Sequence, residues 1–126
     1  MNTLNKQKIL KNLPKEVVNL EIYNTIDSTN EECKRLELKK DFHVIISEHQ
    51  TMGRGRLGKT WSSPGSGNIY MSIYSKEIIN TAPLSLIVGL ICANVINSMI
   101  KTKDVGLKWP NDIIPVSYTH LTLPTK

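Results

Sequence analysis

The chain contains only two cysteines, one phenylalanine and three histidines in 126 residues. Each shortage removes a class of protein. Cys33 and Cys92 are far apart and carry no metal-ligand spacing. That argues against a disulfide framework or a zinc site and makes a reducing cytoplasm the expected compartment. Cys92 lies in an apolar run and reads as a small buried hydrophobe; Cys33 lies in a polar helix and carries no assignment. His43, His49 and His120 show no partner pattern and receive no role. The N-terminus has no apolar signal core. The longest apolar stretch, Leu84 to Ile100, is shorter than the ~20 residues a membrane span needs. It also contains Asn94, Asn97 and Ser98, so it reads as a core helix and no membrane contact is expected. The length fits one small domain, or part of a larger one, with a modest core. Basic residues outnumber acidic ones, 16 to 11, giving a formal charge of +5. That admits an anionic partner, although charge alone points first to a solvated lysine face. A basic nucleic-acid module would rest on charge only, because no helix-turn-helix, zinc pattern or aromatic RNA motif accompanies it.

What the chain does have is concentrated in residues 53–60, Gly-Arg-Gly-Arg-Leu-Gly-Lys-Thr. Three glycines and three cations make a flexible, positive loop suited to a ligand carrying phosphate or carboxylate oxygens. The run also fits the P-loop pattern, with Gly53, Gly58, Lys59 and Thr60 in the defining places, which would make the chain a P-loop nucleotide hydrolase. A P-loop needs a strand before it and a helix opening at its Lys-Thr end. Phe42 to Ser47 supplies the strand. The segment Trp61-Ser62-Ser63-Pro64-Gly65-Ser66-Gly67 is turn chemistry and excludes the helix.

Periodicity places the remaining elements. Asn5 to Leu13 predicts a short helix and Val18 to Thr25 a strand. Ser28 with Glu31 forms a capping-box signature for a helix to about Lys39. A second strand covers Phe42 to Glu48. Asn68 to Ser75 alternates, with Ile69, Met71 and Ile73 on one side and Tyr70, Ser72 and Tyr74 on the other, so a half-buried strand is expected. A long helix from Pro83 to about Lys101 is expected to bury Leu84, Ile87, Val88, Ile91, Val95 and Met99. Val105 to Lys108 predicts a short strand that ends in a turn at Trp109-Pro110-Asn111-Asp112. The order β-α-β-β-α-β indicates an α/β or α+β fold with a mixed sheet flanked by helices.

Three separated segments then converge: Asp27-Ser28-Thr29-Asn30; Gln50 followed by Gly53-Arg54-Gly55-Arg56-Leu57-Gly58-Lys59-Thr60-Trp61-Ser62-Ser63-Pro64; and Lys108-Trp109-Pro110-Asn111-Asp112. In this order and spacing they resemble the catalytic domain of biotin protein ligases, across essentially all of residues 15–114. The resemblance implies a two-step reaction. Biotin's carboxylate attacks the α-phosphorus of ATP, giving biotinyl-AMP and pyrophosphate; a lysine of biotin carboxyl carrier protein then attacks the mixed anhydride and releases AMP. Fixed cations and Mg²⁺ suit the first step, because a carboxylate must approach a polyphosphate. No metal site held by the protein alone is expected.

By the same resemblance, Ser28, Thr29, Asn30, Gln50, Gly53, Arg54, Gly55 and Arg56 contact biotin. Arg54, Arg56, Lys108 and Asn111 serve the nucleotide, and Arg54, Arg56, Lys108 and Asp112 carry the chemistry. Arg54 and Arg56 bring forked donors, and the glycines allow the loop to act as a mobile cover. The residues also admit plainer roles: Ser28 and Thr29 as helix caps, Gln50 as a surface amide, Lys108 as solvated charge, Asp112 as a turn residue. Lys59 stands where the family usually has arginine, which weakens any bidentate contact there. Trp61 reads as a loop-packing anchor rather than an adenine platform. Lipoate ligases share the fold and form a neighbouring alternative as acyl-adenylate transferases; the Gly-Arg-Gly-Arg loop favours biotin.

Residues 116–126 resemble an in-frame translation of a sequencing-library adapter and are set apart from fold reasoning. The expected layout is a linker at 1–14, a partial catalytic domain at 15–115 and a non-native tail at 116–126. The family's later strands, its C-terminal β-barrel and a biotin-contacting lysine would lie beyond this sequence. The chain alone is therefore expected to be inactive and poorly folded. Some members carry a DNA-binding module ahead of this domain, so DNA becomes a partner only if such a module preceded Met1. A homodimer is open to the full-length enzyme.

Overall fold

The computed structural model describes residues 4–37, 39–65, 67–77, 83–100, 104–108 and 111–115. Trp109 and Pro110 of the last motif, Lys101 and the tail 116–126 lie outside the described residues. The chain divides into two compact units, 1–78 and 79–126, and each is described by itself.

The first unit is built on a mixed sheet of order β1-β2-β3, with β1 at Val18–Ile26, β2 at Phe42–Gln50 and β3 at Tyr70–Ser75. Strands β1 and β2 run parallel, Val18 beside Phe42 and Ile26 beside Gln50. Strand β3 returns antiparallel, with Ser47 beside Tyr70 and Ile45 beside Ser72. A short helix α1, Lys6–Leu10, is capped by Asn5, whose side chain accepts from Lys8 N–H at 2.9 Å.

Helix α2 spans Thr29–Arg35 and ends before the expected Lys39. Chain reach explains the difference. A parallel return must cover the length of β1, about 27 Å at 3.3 Å per residue. Seven helical residues recover only about 10 Å. The chain must therefore leave the helix early, and Leu36 does so in an extended conformation at φ −78°, ψ 138°. The capping box is half realised. Ser28 accepts from Glu31 N–H, but Ser28 N–H donates to Asp27 rather than to Glu31.

Helix α2 packs against β2 and β3. It covers the sheet face that carries Tyr23, Ile45 and Ser72, where Tyr23 Oη donates to Glu32 at 3.1 Å. Ile45 and Cys33 are buried there. Burial pushes the Cys33 thiol pKa up, with the Glu32 charge adding to it. His43, also buried, accepts from Lys39 N–H and meets the Asn19 amide. On the other face Leu20 and Ile46 are buried, whereas Met71 and Ile73 are exposed. The expected alternation of β3 is present from Tyr70 to Ile73. The polar side, Ser72 and Tyr70, is the covered one, because α2 lands on it.

The second unit contains α3, Leu84–Met99, and a hairpin of β4, Val105–Lys108, with β5, Asp112–Pro115. Strand β5 was not expected from the sequence. Helix α3 rests on β4 and β5 through a stripe of small residues: Ala93 is buried, and a Cβ on Gly89 would lie 3.0 Å from Leu107. Asn97 ties helix to hairpin by accepting from Val105 N–H at 2.7 Å and donating to its carbonyl at 3.1 Å. The apolar stripe expected to be buried, Leu84, Ile87, Val88, Ile91, Val95 and Met99, is instead exposed. A helix that is apolar on most sides offers periodicity no single face to choose, and the hairpin takes the small-residue side.

Candidate active site

The site begins where β1 runs out. Thr51 N–H and Met52 N–H donate to the carbonyls of Ile26 and Asp27, at 2.9 and 2.7 Å. The two strand ends and the start of α2 are thereby joined. Asp27 is gripped by both terminal nitrogens of Arg35 and by Ser28 N–H. The Arg35 contacts, with the Ser28 bond second, hold the Asp27 carboxyl down at a pKa of about 2. Ser28 and Thr29 are buried at this junction, and Ser28 does serve as the helix cap.

Gln50, the last residue of β2, faces them. Its Oε1 accepts from Thr29 N–H at 2.8 Å and from Thr29 Oγ1 at 3.1 Å. Its Nε2 donates to Ser63 Oγ at 2.9 Å, and Ser63 donates on to the Trp61 carbonyl at 3.1 Å. Gln50 is thus a junction between α2 and the loop rather than an isolated surface amide.

The glycine-arginine segment is a tight hairpin, not an open loop. Arg54 bridges Thr60 antiparallel, Gly55 N–H donates to the Lys59 carbonyl at 2.6 Å, and Trp61 N–H donates to the Gly53 carbonyl at 2.8 Å. Leu57 and Gly58 occupy its tip at φ 57° and 74°, the positive values a two-residue type I′ turn demands. No helix follows: Lys59 is extended at φ −71°, ψ 150°. The P-loop context is absent in the structure as in the sequence. Gly53 has a different constraint. A Cβ there would sit 2.5 Å from both Ser63 Oγ and the Trp61 carbonyl, so the close approach of the two hairpin arms requires glycine.

A cavity of about 360 Å³ opens between these parts, within the size range of small-molecule sites. Ser28, Thr29, Asn30, Gln50 and Arg54 line it, so five of the sequence-assigned residues meet at one place. Trp61, Ile69, Tyr70, Met71 and Ser72 complete the wall. Trp61 is 61% exposed, which corrects its expected role as a packed anchor; its backbone, not its ring, holds the hairpin. Arg54 Nε lies 3.4 Å from Glu31 Oε1. Glu31's pKa is lowered first by Lys34, then by the Arg54 and Arg35 charges. Gly53 and Lys59 face a second hollow behind the hairpin, about 320 Å³, together with Arg54. Gly55 and Arg56 lie further out along the hairpin and do not line the first cavity.

Lys108, Asn111 and Asp112 belong to the second unit. Lys108 ends β4 opposite Asp112, which opens β5, and all three are exposed. Ser63 and Ser72 were not singled out from the sequence. Ser63 lay inside the recognised Trp-Ser-Ser-Pro run, and Ser72 shared a strand face with Tyr70; no local signal tied either to Gln50 or Thr29.

The family described as the biotin/lipoate A/B protein ligase family matches residues 22–116, and the chain belongs to it. It is 35% identical over 114 residues to the bifunctional ligase/repressor BirA of Escherichia coli (strain K12), covering 87% of this chain and 35% of that protein. Among solved structures it is similar to the biotin protein ligase from Aquifex aeolicus in complex with biotin and ATP. There the TM-score is 0.65 at 34% identity, covering 75% of this chain and 40% of that one. It is also similar to the Leishmania major enzyme in complex with biotinyl-5-AMP, with TM-score 0.60 at 28% identity over 77% of this chain and 47% of that one. The chain thus spans about a third of the length of the curated relatives it matches. Among the described residues no helix is long and apolar enough to cross a membrane.

Proposed function

We propose that the chain carries the biotin-binding part of an ATP-dependent biotin protein ligase, which forms biotinyl-AMP and passes biotin to a lysine of a biotin carboxyl carrier protein in the cytoplasm. One observation carries the reading: Ser28, Thr29, Asn30, Gln50 and Arg54, drawn from two separated motifs, line a single cavity. Relatives with biotin and ATP, or with biotinyl-5-AMP, support the choice of ligand. Buried hydroxyls and an amide suit the polar head of biotin, and Arg54 at the rim suits a carboxylate. Arg56 and its glycine neighbours would reach the ligand by movement of the hairpin.

Lys108 and Asn111 are assigned to the nucleotide and Asp112 to support of adenylation. Among the described residues no three metal-ligating side chains cluster. Mg²⁺ is usually held by one or two carboxylates plus substrate phosphates, and Asp112 would support adenylation either through that ion or by orienting a cation. Bound there, Mg²⁺ would neutralise charge on the polyphosphate.

Residues 15–115 form part of the catalytic domain in this reading, with 1–14 a linker and 116–126 foreign to it. The exposed stripe on α3 supports the expectation that the chain alone is poorly folded and inactive. A DNA-binding module and a homodimer remain features for the full-length protein to reveal. Lipoate attachment is the competing reading within the same family.

The test uses the protein expressed from its full natural coding sequence, incubated with ATP, biotin and a biotin carboxyl carrier domain. Mass spectrometry should find one lysine of the carrier biotinylated. An unmodified carrier, or one modified by lipoate instead, would overturn the assignment.

A further inference from the structure

The hydrogen bonds around Gln50 have a direction that can be worked out from the backbone. Thr29 N–H is a donor in any protonation state, so the atom it meets must be the Gln50 carbonyl oxygen. That leaves Nε2 facing Ser63. The Trp61 carbonyl can only accept, so Ser63 must donate to it and therefore accepts from Gln50. On the other side, Thr29 Oγ1 gives its proton to Gln50 and must accept from Ser72 Oγ at 2.8 Å. The result is a one-way chain: Ser72 to Thr29 to Gln50 to Ser63 to the Trp61 carbonyl. Both acceptor sites of Gln50 and one of its two N–H groups are used. The remaining valence is a single N–H, on a side chain that lines the cavity.

We propose that Ser63 is a positioning residue: its hydroxyl pins the Gln50 amide so that the cavity meets an N–H donor in a fixed direction. This rests on the ligase reading and deepens it. Thr29 alone holds the amide at its oxygen and leaves the plane free to swing about that point. Ser63 is the second anchor. It is buried, and its own backbone carbonyl accepts from Gln50 N–H at 3.3 Å, so side chain and main chain grip the same residue. Ser63 also joins Gln50 to the hairpin stem at Trp61 and, through the close approach at Gly53, to the arm that carries Arg54. Ligand-facing polarity and hairpin closure therefore share one hydroxyl. Ser72, with its proton committed to Thr29, presents acceptor lone pairs to the same cavity. A ligand must offer an acceptor toward Gln50 and a donor toward Ser72, as a urea-type group does.

A double-mutant cycle in the full-length protein tests the role. Biotin affinity is read by titration calorimetry, alongside KM for ATP. Ser63→Ala should weaken biotin binding by about five- to tenfold, the scale of one net hydrogen bond, with KM for ATP unchanged. In a Gln50→Met background the same Ser63→Ala change should cost less than about twofold, because its target is gone. Equal losses in both backgrounds, or a parallel rise in KM for ATP, would overturn the positioning role. A second readout needs no Gln50 variant. The two side-chain amide protons of Gln50 should show NMR shifts displaced from free-amide values and slow exchange with water, both moving toward free-amide behaviour in Ser63→Ala; identical shifts and exchange rates in both proteins would contradict the proposal. Should the unaltered protein take up no biotin, the ligase reading fails first, and the role of Ser63 with it.

Discussion

Gln50 Oε1 accepts both polar protons of Thr29, the backbone N–H at 2.8 Å and the hydroxyl at 3.1 Å. The last residue of β2 is thereby fastened to the first residue of α2. Thr29 is buried, so loss of Gln50 leaves its backbone N–H without the protein acceptor it now meets. Gln50→Leu should destabilise the protein by roughly 1–3 kcal/mol, the cost of an unsatisfied buried polar group. Urea denaturation measures this as a lower midpoint at unchanged slope.

The two arms of the Gly53–Trp61 hairpin close on a glycine. With Ser63 Oγ and the Trp61 carbonyl each 2.5 Å from a hypothetical Cβ, Gly53→Ala forces the arms apart. A cost of about 1–3 kcal/mol is expected. Gly65→Ala is the matched control, since its Cβ would meet only His49 at 3.8 Å and should stay within about 0.5 kcal/mol. Thermal denaturation of the pair separates the effects.

Leu57 is 97% exposed and sits at φ 57°. Its side chain packs on nothing that offsets the left-handed backbone. Asparagine tolerates this region and is favoured before glycine in type I′ turns. Leu57→Asn should therefore raise stability, by about 0.5–1 kcal/mol, read as a higher denaturation midpoint. A fall would show that the tip is held in some other conformation.

Asp27 has its folded-state pKa depressed to about 2 from 3.8, first by Arg35 and then by Ser28 N–H. A depressed carboxyl stabilises the fold above its unfolded pKa and loses that contribution as pH falls through the folded one. Stability should therefore decline between about pH 4 and pH 2. Asp27→Asn should start lower at neutral pH and show a flatter acid limb, with the two curves converging near pH 2. Parallel curves would place the acid sensitivity elsewhere.

The sequence made part of this site legible. Asp27 to Asn30, Gln50 and Arg54 were identifiable through the motifs that resemble biotin protein ligases; residue type alone offered a helix cap at Ser28, a surface amide at Gln50 and an anion-binding cation at Arg54. The absence of a P-loop helix was equally clear from Pro64 and its neighbours. Local pattern carried less far elsewhere. Alternation in β3 separated Met71 and Ile73 from Ser72 but could not say which side α2 would cover. Helix α3 is apolar on most sides, so period alone could not find that Gly89 and Ala93 face the hairpin. Three glycines suggested a flexible loop, yet the Arg54–Thr60 bridge and the turn at Leu57-Gly58 make a hairpin. Ser63 and Ser72 matter through partners 13 and 43 residues away, and no local signal spans such distances.

The proposed function requires that the cavity at Ser28, Thr29, Gln50 and Arg54 take biotin for adenylation. Exchange of labelled pyrophosphate into ATP by the full-length protein tests it most directly. Exchange should require biotin, find no support from lipoate, and fall sharply in Arg54→Ala. Exchange or ATP hydrolysis that proceeds equally well without biotin would contradict it.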